Sequence, residues 1–77
     1  MKGGVVAAAT IGLWVNGERR SVAVADVRGL VALLGLDPAG RGLAVARNGE
    51  VVPRSAWTTT RLLPDDRIEI VGAVQGG

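Results

Sequence analysis

Two Asn-Gly pairs, Asn16-Gly17 and Asn48-Gly49, constrain the fold of this 77-residue chain more than any other feature. Asn and Gly both tolerate positive φ, as the type I′ turn requires, and that turn has the twist that joins two antiparallel strands. Before the first pair, Ile11, Leu13 and Val15 alternate onto one face, and after it residues 19–24 supply a returning strand. Residues 43–47 lead into the second pair and Glu50-Val51-Val52 begin the return, which Pro53 ends by removing a backbone donor. The chain therefore carries two β-hairpins with an intervening segment to place.

That segment reads as a short helix. Asp26 stands as its N-cap, with a carboxylate that can accept orphan backbone N–H groups. Val27, Leu30, Val31 and Leu34 follow at i, i+3, i+4 and i+7, one apolar stripe. Gly29 weakens the helix by about 1 kcal/mol relative to alanine if it faces solvent. Gly35 occupies the left-handed stop position, and Asp37-Pro38 prevents resumption. Residues 39–42 read as a flexible connection. After the second hairpin, Arg54-Ser55-Ala56-Trp57 fits a single tight turn, with Trp57 folding back as a plug. Pro64-Asp65-Asp66 then signals a turn, and residues 67–73 form a last strand with Ile68 and Ile70 inward. The order ββ-α-ββ-β predicts an α+β fold of the β-grasp, ubiquitin-like kind. It is a mixed sheet of four to five strands, with one main helix on one face and the last strand parallel to the first.

Composition bounds the function. The chain has no Cys and no His, which excludes disulfide staples, thiol nucleophiles, zinc sites and imidazole general bases together. Eight Arg and one Lys against seven acids are scattered, with Arg19-Arg20 the only adjacent pair. Nucleic-acid binding wants clustered charge with stacking aromatics, and only Trp14 and Trp57 are aromatic. No apolar run approaches membrane-spanning length, and the run from Val5 to Ala9 is too short and weak for a secretory leader. The expectation is a cytoplasmic protein with no nucleic-acid or membrane partner. Residues 1–10 read as a loose extension, 11–73 as the domain and 74–77 as a tail.

The tail is Val74-Gln75-Gly76-Gly77. Two glycines in succession can thread a channel too narrow for residues that carry a Cβ, leaving the carboxylate of Gly77 as a chemical handle. The plain alternative is that small residues collect at fraying termini. Elsewhere, Trp14 points opposite to Leu13 and Val15. It either lies beneath a loop or anchors a partner on the open sheet face, as tryptophan often does at hot spots. Arg54 and Arg61 either steer an acidic partner surface or simply solvate the fold. Asp65, Asp66 and Glu69 lie on a turn and an outer strand face, without a base or metal-ligand set nearby.

Taken together, Val15-Asn16-Gly17-Glu18, Ala46-Arg47-Asn48-Gly49-Glu50-Val51-Val52-Pro53-Arg54, Trp57, Arg67-Ile68-Glu69-Ile70-Val71 and Ala73-Val74-Gln75-Gly76-Gly77 resemble the ThiS family of thiamine-biosynthesis sulfur carriers. The resemblance covers about residues 11–77. Residues 1–10 extend beyond the usual start, Arg47 replaces a more often aliphatic residue, and Asp65-Asp66 stands where Gly-Asp is frequent. Three consequences are implied by the resemblance. A ThiF-like adenylyltransferase would consume ATP to adenylate the carboxylate of Gly77. A sulfur donor such as a cysteine desulfurase would then convert it to a thiocarboxylate, and a ThiG-like thiazole synthase would accept the sulfur. This chain would be a co-substrate with no bound cofactor and no catalytic or metal-binding residue. Gly76, Gln75 and Val74 would be read as the tail threads the partner, while Trp14 and Arg54 are candidate partner-surface residues on their own chemistry. Alternatives are a carrier resembling the molybdopterin-synthase small subunit, a ubiquitin-like modifier, and a plain interaction module.

Overall fold

The first hairpin pairs β1 (Ile11–Val15) with β2 (Glu18–Val22) around Asn16 and Gly17, whose φ values of 50° and 83° are those of a type I′ turn. We describe these features in a computed structural model of the chain, which describes residues 9–72. Because Ile11 lies opposite Val22, residues 23 and 24 run past the start of β1, and β2 ends two residues before the expected limit.

The helix α1 (Val27–Leu33) begins where the capping signal places it. The Asp26 Oδ1 accepts the Gly29 N–H at 2.8 Å, and Val27, Leu30 and Val31 are buried. Its end is a Schellman pair: Leu36 N–H donates to the Val31 carbonyl and Gly35 N–H to that of Ala32, with Gly35 at φ 79°. Gly29 is half-buried, and a Cβ there would stand 3.2 Å from the Val24 Cβ, so close packing accounts for the glycine in mid-helix.

Beyond the helix, residues 39–42 are a hydrogen-bonded turn where the sequence suggested a flexible link. Gly40 N–H donates to the Asp37 carbonyl, Leu43 N–H to that of Gly40, and the Arg54 Nη1 to that of Ala39. The Ala39 N–H and the Arg41 guanidinium hold the Asp37 carboxyl below the usual carboxylate range. The second hairpin joins β3 (Leu43–Arg47) to β4 (Glu50–Val52) around Asn48 and Gly49, at φ 51° and 87°. A 3-10 turn, Arg54–Ala56, then folds Trp57 into the core, where its Nε1 donates to the Val52 carbonyl at 2.8 Å.

The last strand, β5 (Arg67–Gly72), enters the middle of the sheet and sets the order β2-β1-β5-β3-β4. It runs parallel to β1 and antiparallel to β3, which makes the fold a β-grasp. Inward residues Leu13, Val15, Val22, Val45, Val52, Ile68 and Ile70 meet Val27, Leu30 and Val31 of the helix, and Trp57 and Leu62 complete the core. No helix among the described residues is long and apolar enough to cross a membrane.

Candidate functional site

The expected site residues Val74, Gln75, Gly76 and Gly77 lie outside the described residues. The root from which they continue is described, and its construction is unusual. Trp14 N–H donates to the Asp66 carbonyl and Asn16 N–H to that of Ile68, so β1 and β5 pair as parallel strands up to Asn16. At Asn16 the backbone turns away at positive φ, and the side chain replaces it. Asn16 Oδ1 accepts the Ile70 N–H at 2.9 Å and Nδ2 donates to the Ile70 carbonyl at 3.1 Å. A carboxamide offers the donor and acceptor of a peptide unit, so one side chain stands in for a missing strand segment.

Asn48 does the same at the entry to β5. Its backbone N–H donates to the Arg67 carbonyl at 2.7 Å and its Oδ1 accepts the Arg67 N–H at 2.9 Å. The Asn48 Nδ2 in turn donates to Asp66, which is the one buried charged residue among those described. Asp66 also accepts from the Arg47 Nε at 2.7 Å and the Leu63 N–H at 2.8 Å. Burial alone would raise its carboxyl, but the bonds from Arg47, Leu63 and Asn48 outweigh that and hold it below the ordinary carboxylate range. The Arg47 side chain is therefore the partner of this carboxylate. Asp66 fastens the turn before β5 to the second hairpin, a structural role that its sequence position on a turn concealed.

Gly72 pairs in regular register with Leu43 as the last residue of β5. It lies between two grooves. One, of about 340 Å³, is lined by Asn16, Glu18, Arg20, Leu34, Leu36 and Gly72, among others. The other, of about 520 Å³, includes Gly40, Arg41, Leu43, Arg54, Val71 and Gly72. Arg54 thus reaches the root of the tail while also bonding the Ala39 carbonyl. Trp14 does not join it. Trp14 pairs with Arg67 at the start of β5, five residues and about 16 Å of strand from Gly72. It is 38% exposed on the sheet face away from the helix, with the Arg19 guanidinium 5.4 Å above its ring. Val51 and Val71 are exposed on the same face, whereas Trp57 is core. Among the described residues, no group of three or more acidic residues could hold a metal ion.

The central strand of this β-grasp sheet leads toward Val74-Gln75-Gly76-Gly77. The model of the ThiS family matches residues 13–77. This chain belongs to the ThiS family. A thiazole synthase from Paramagnetospirillum magneticum is 38% identical over 66 residues, which are 84% of this chain but 20% of that protein. The chain thus spans about one fifth of the length of that curated relative. Among solved structures, the crystal structure of the thiamine biosynthesis protein ThiS from Geobacter metallireducens matches with a TM-score of 0.71 and 31% identity. That match covers 87% of this chain and 100% of the other. The solution structure of a thiamine biosynthesis protein from the same organism gives a TM-score of 0.74 at 31% identity, covering 87% and 88%. The ThiS match reaches Gly77, so it includes the tail residues as well as the sheet.

Proposed function

We propose that this chain is a sulfur carrier in the formation of the thiamine thiazole, acting as a co-substrate rather than as a catalyst. The observation that carries the reading is the ThiS match extending through Val74-Gln75-Gly76-Gly77, on a fold whose central strand leads into that tail. A carboxylate is a poor electrophile because attack must add charge to an anionic group. Transfer of the Gly77 carboxylate oxygen onto the α-phosphorus of ATP, with loss of pyrophosphate, removes that obstacle and creates AMP as a leaving group. A ThiF-like adenylyltransferase supplies this step. Persulfide sulfur from a donor such as a cysteine desulfurase then displaces AMP, an external thiol reduces the resulting acyl disulfide to the thiocarboxylate, and this donates its sulfur to a ThiG-like thiazole synthase. ATP is consumed by the partner and is not a resident cofactor here.

The five residues after Gly72 span at most about 16–18 Å when extended, long enough to carry a carboxylate from the sheet into a partner's interior. Gly76 and Gly77 pass where a Cβ would collide, while Gln75 and Val74 offer a backbone for strand-like recognition. Trp14 and Arg54 are proposed as partner contacts, at opposite ends of β5. Thiazole chemistry is favoured over molybdopterin chemistry because the fifth of the Paramagnetospirillum protein that resembles this chain belongs to a thiazole synthase. In the test, the chain is incubated with the adenylyltransferase, ATP and a sulfur source. The expected outcome is a gain of about 16 Da, sulfur replacing oxygen at the terminus. An unchanged mass beside an adenylyltransferase that modifies its own carrier would refute the reading.

A further inference from the structure

Asn16 does more than form a turn. Strand alternation makes Ile70 direct its N–H and carbonyl toward β1, Val71 toward β3, and Gly72 toward the β1 side again. The β1 backbone has already left at Asn16, since its register with β5 ends at Val15 opposite Ile68. The carboxamide bonding both groups of Ile70 therefore extends sheet support on that side by one strand step toward the tail. The groove beyond it is lined by Gly72 and by Asn16 itself.

We infer that Asn16 is a positioning residue for the reaction at Gly77. By holding Ile70, it sets the height and direction at which the chain leaves the sheet toward the partner. The inference rests on the carrier reading given above. A tethered group presents an effective concentration that falls as its leash lengthens, so freeing the β1 side of Ile70 lowers the fraction of docked complexes with the carboxylate in place. The side chains proposed above as partner contacts, Trp14 and Arg54, are left in place. The consequence is a loss in kcat with KM preserved. Asn48 provides the control, because its carboxamide also accepts a β5 backbone N–H, that of Arg67, ten residues from Gly77.

The experiment uses the full chain as substrate of the adenylyltransferase, with pyrophosphate release as the rate and amide hydrogen exchange as the structural readout. Asn16→Gly keeps the positive φ and deletes the carboxamide. It is expected to exchange the Ile70 amide about tenfold faster, the scale set by hydrogen bonds of ordinary net strength, while Leu13 and Ile68 stay protected. Its kcat should fall about three- to tenfold with KM within about twofold, as loss of positioning rather than of binding predicts. Asn16→Asp keeps the turn preference and the acceptor for the Ile70 N–H, and should fall between the two. Asn48→Gly should match the wild type in kcat. Equal losses of kcat in Asn16→Gly and Asn48→Gly, or an unchanged kcat despite faster Ile70 exchange, would overturn the inference. A wild-type chain that releases no pyrophosphate would defeat the carrier reading and this inference with it, while Ile70 exchange would still report the clamp.

Discussion

Gly40→Ala isolates a packing constraint that is invisible in the sequence. Gly40 has φ 76°, and a Cβ there would stand 2.6 Å from the Trp57 Cη2, 2.8 Å from its Cζ3 and 2.6 Å from the Arg54 Cδ. Arg54 is exposed and can move. Trp57 cannot move without cost, because it is buried and its Nε1 is held by the Val52 carbonyl. Left-handed backbone costs an alanine about 1–2 kcal/mol, and forcing a methyl against a packed ring adds about 1–3 kcal/mol. The sum, about 2–5 kcal/mol, is a large fraction of the roughly 5–15 kcal/mol that stabilises a domain. Gly49→Ala supplies the reference. It shares the positive φ, at 87°, but a Cβ there meets nothing within 4 Å, so it carries the backbone cost alone. Urea and thermal unfolding followed by far-UV circular dichroism should place Gly40→Ala below Gly49→Ala by at least about 4 °C in Tm, the shift that 1 kcal/mol produces in a domain of this size. Equal shifts for the two variants would refute the reasoning, because they would show that the Trp57 ring yields freely.

Three further outcomes are expected. Asp66→Asn should flatten the acid limb of the stability profile. The folded carboxyl sits below its unfolded value of about 3.9, so its contribution is complete above that pH and is lost as pH falls through the lowered value; urea midpoints between about pH 2 and 6 check this. Trp14→Ala should cost about 1 kcal/mol or less from its cation–π contact with Arg19, yet weaken binding to the adenylyltransferase by about 2 kcal/mol, roughly thirtyfold in Kd by calorimetry, if Trp14 is a contact hot spot. Gly77→Ala should leave the urea midpoint unchanged and sharply reduce ATP-dependent modification, since one methyl is added at the reacting residue; equal modification rates would show that channel width is not the constraint.

Local sequence leaves the role of Asp66 hidden. Asp66 follows a proline turn, and its sequence setting is that of an ordinary solvated corner. Its burial arises because Arg47 and Asn48, nearly twenty residues earlier, arrive from the second hairpin. At the neighbouring corner, Asp65 takes φ 69°, and its carboxylate pairs with Arg19 in solvent. A residue type can thus be read as a turn former while its partner remains hidden. The tail residues Val74-Gln75-Gly76-Gly77 stood out by composition and order alone, without a fold to point to them, and they fall within the family match.

What the sequence determined by itself was everything governed by neighbours a few residues apart. Both Asn-Gly turns, the Asp26 cap, the Gly35 stop and the inward alternation of Leu13, Val15, Ile68 and Ile70 follow from φ preference, capping and period. The family resemblance then implied the chemistry proposed for the tail. Only the tertiary structure decided how these pieces share hydrogen bonds: that β5 enters between β1 and β3, that Asn16 completes the ladder at Ile70, 54 residues away, and that Trp57 leaves no room for a Cβ on Gly40. The physical reason is that a strand edge and a carboxamide are generic donors and acceptors. Their choice of partner is made by the packing of the whole sheet against one helix, and no local preference encodes it.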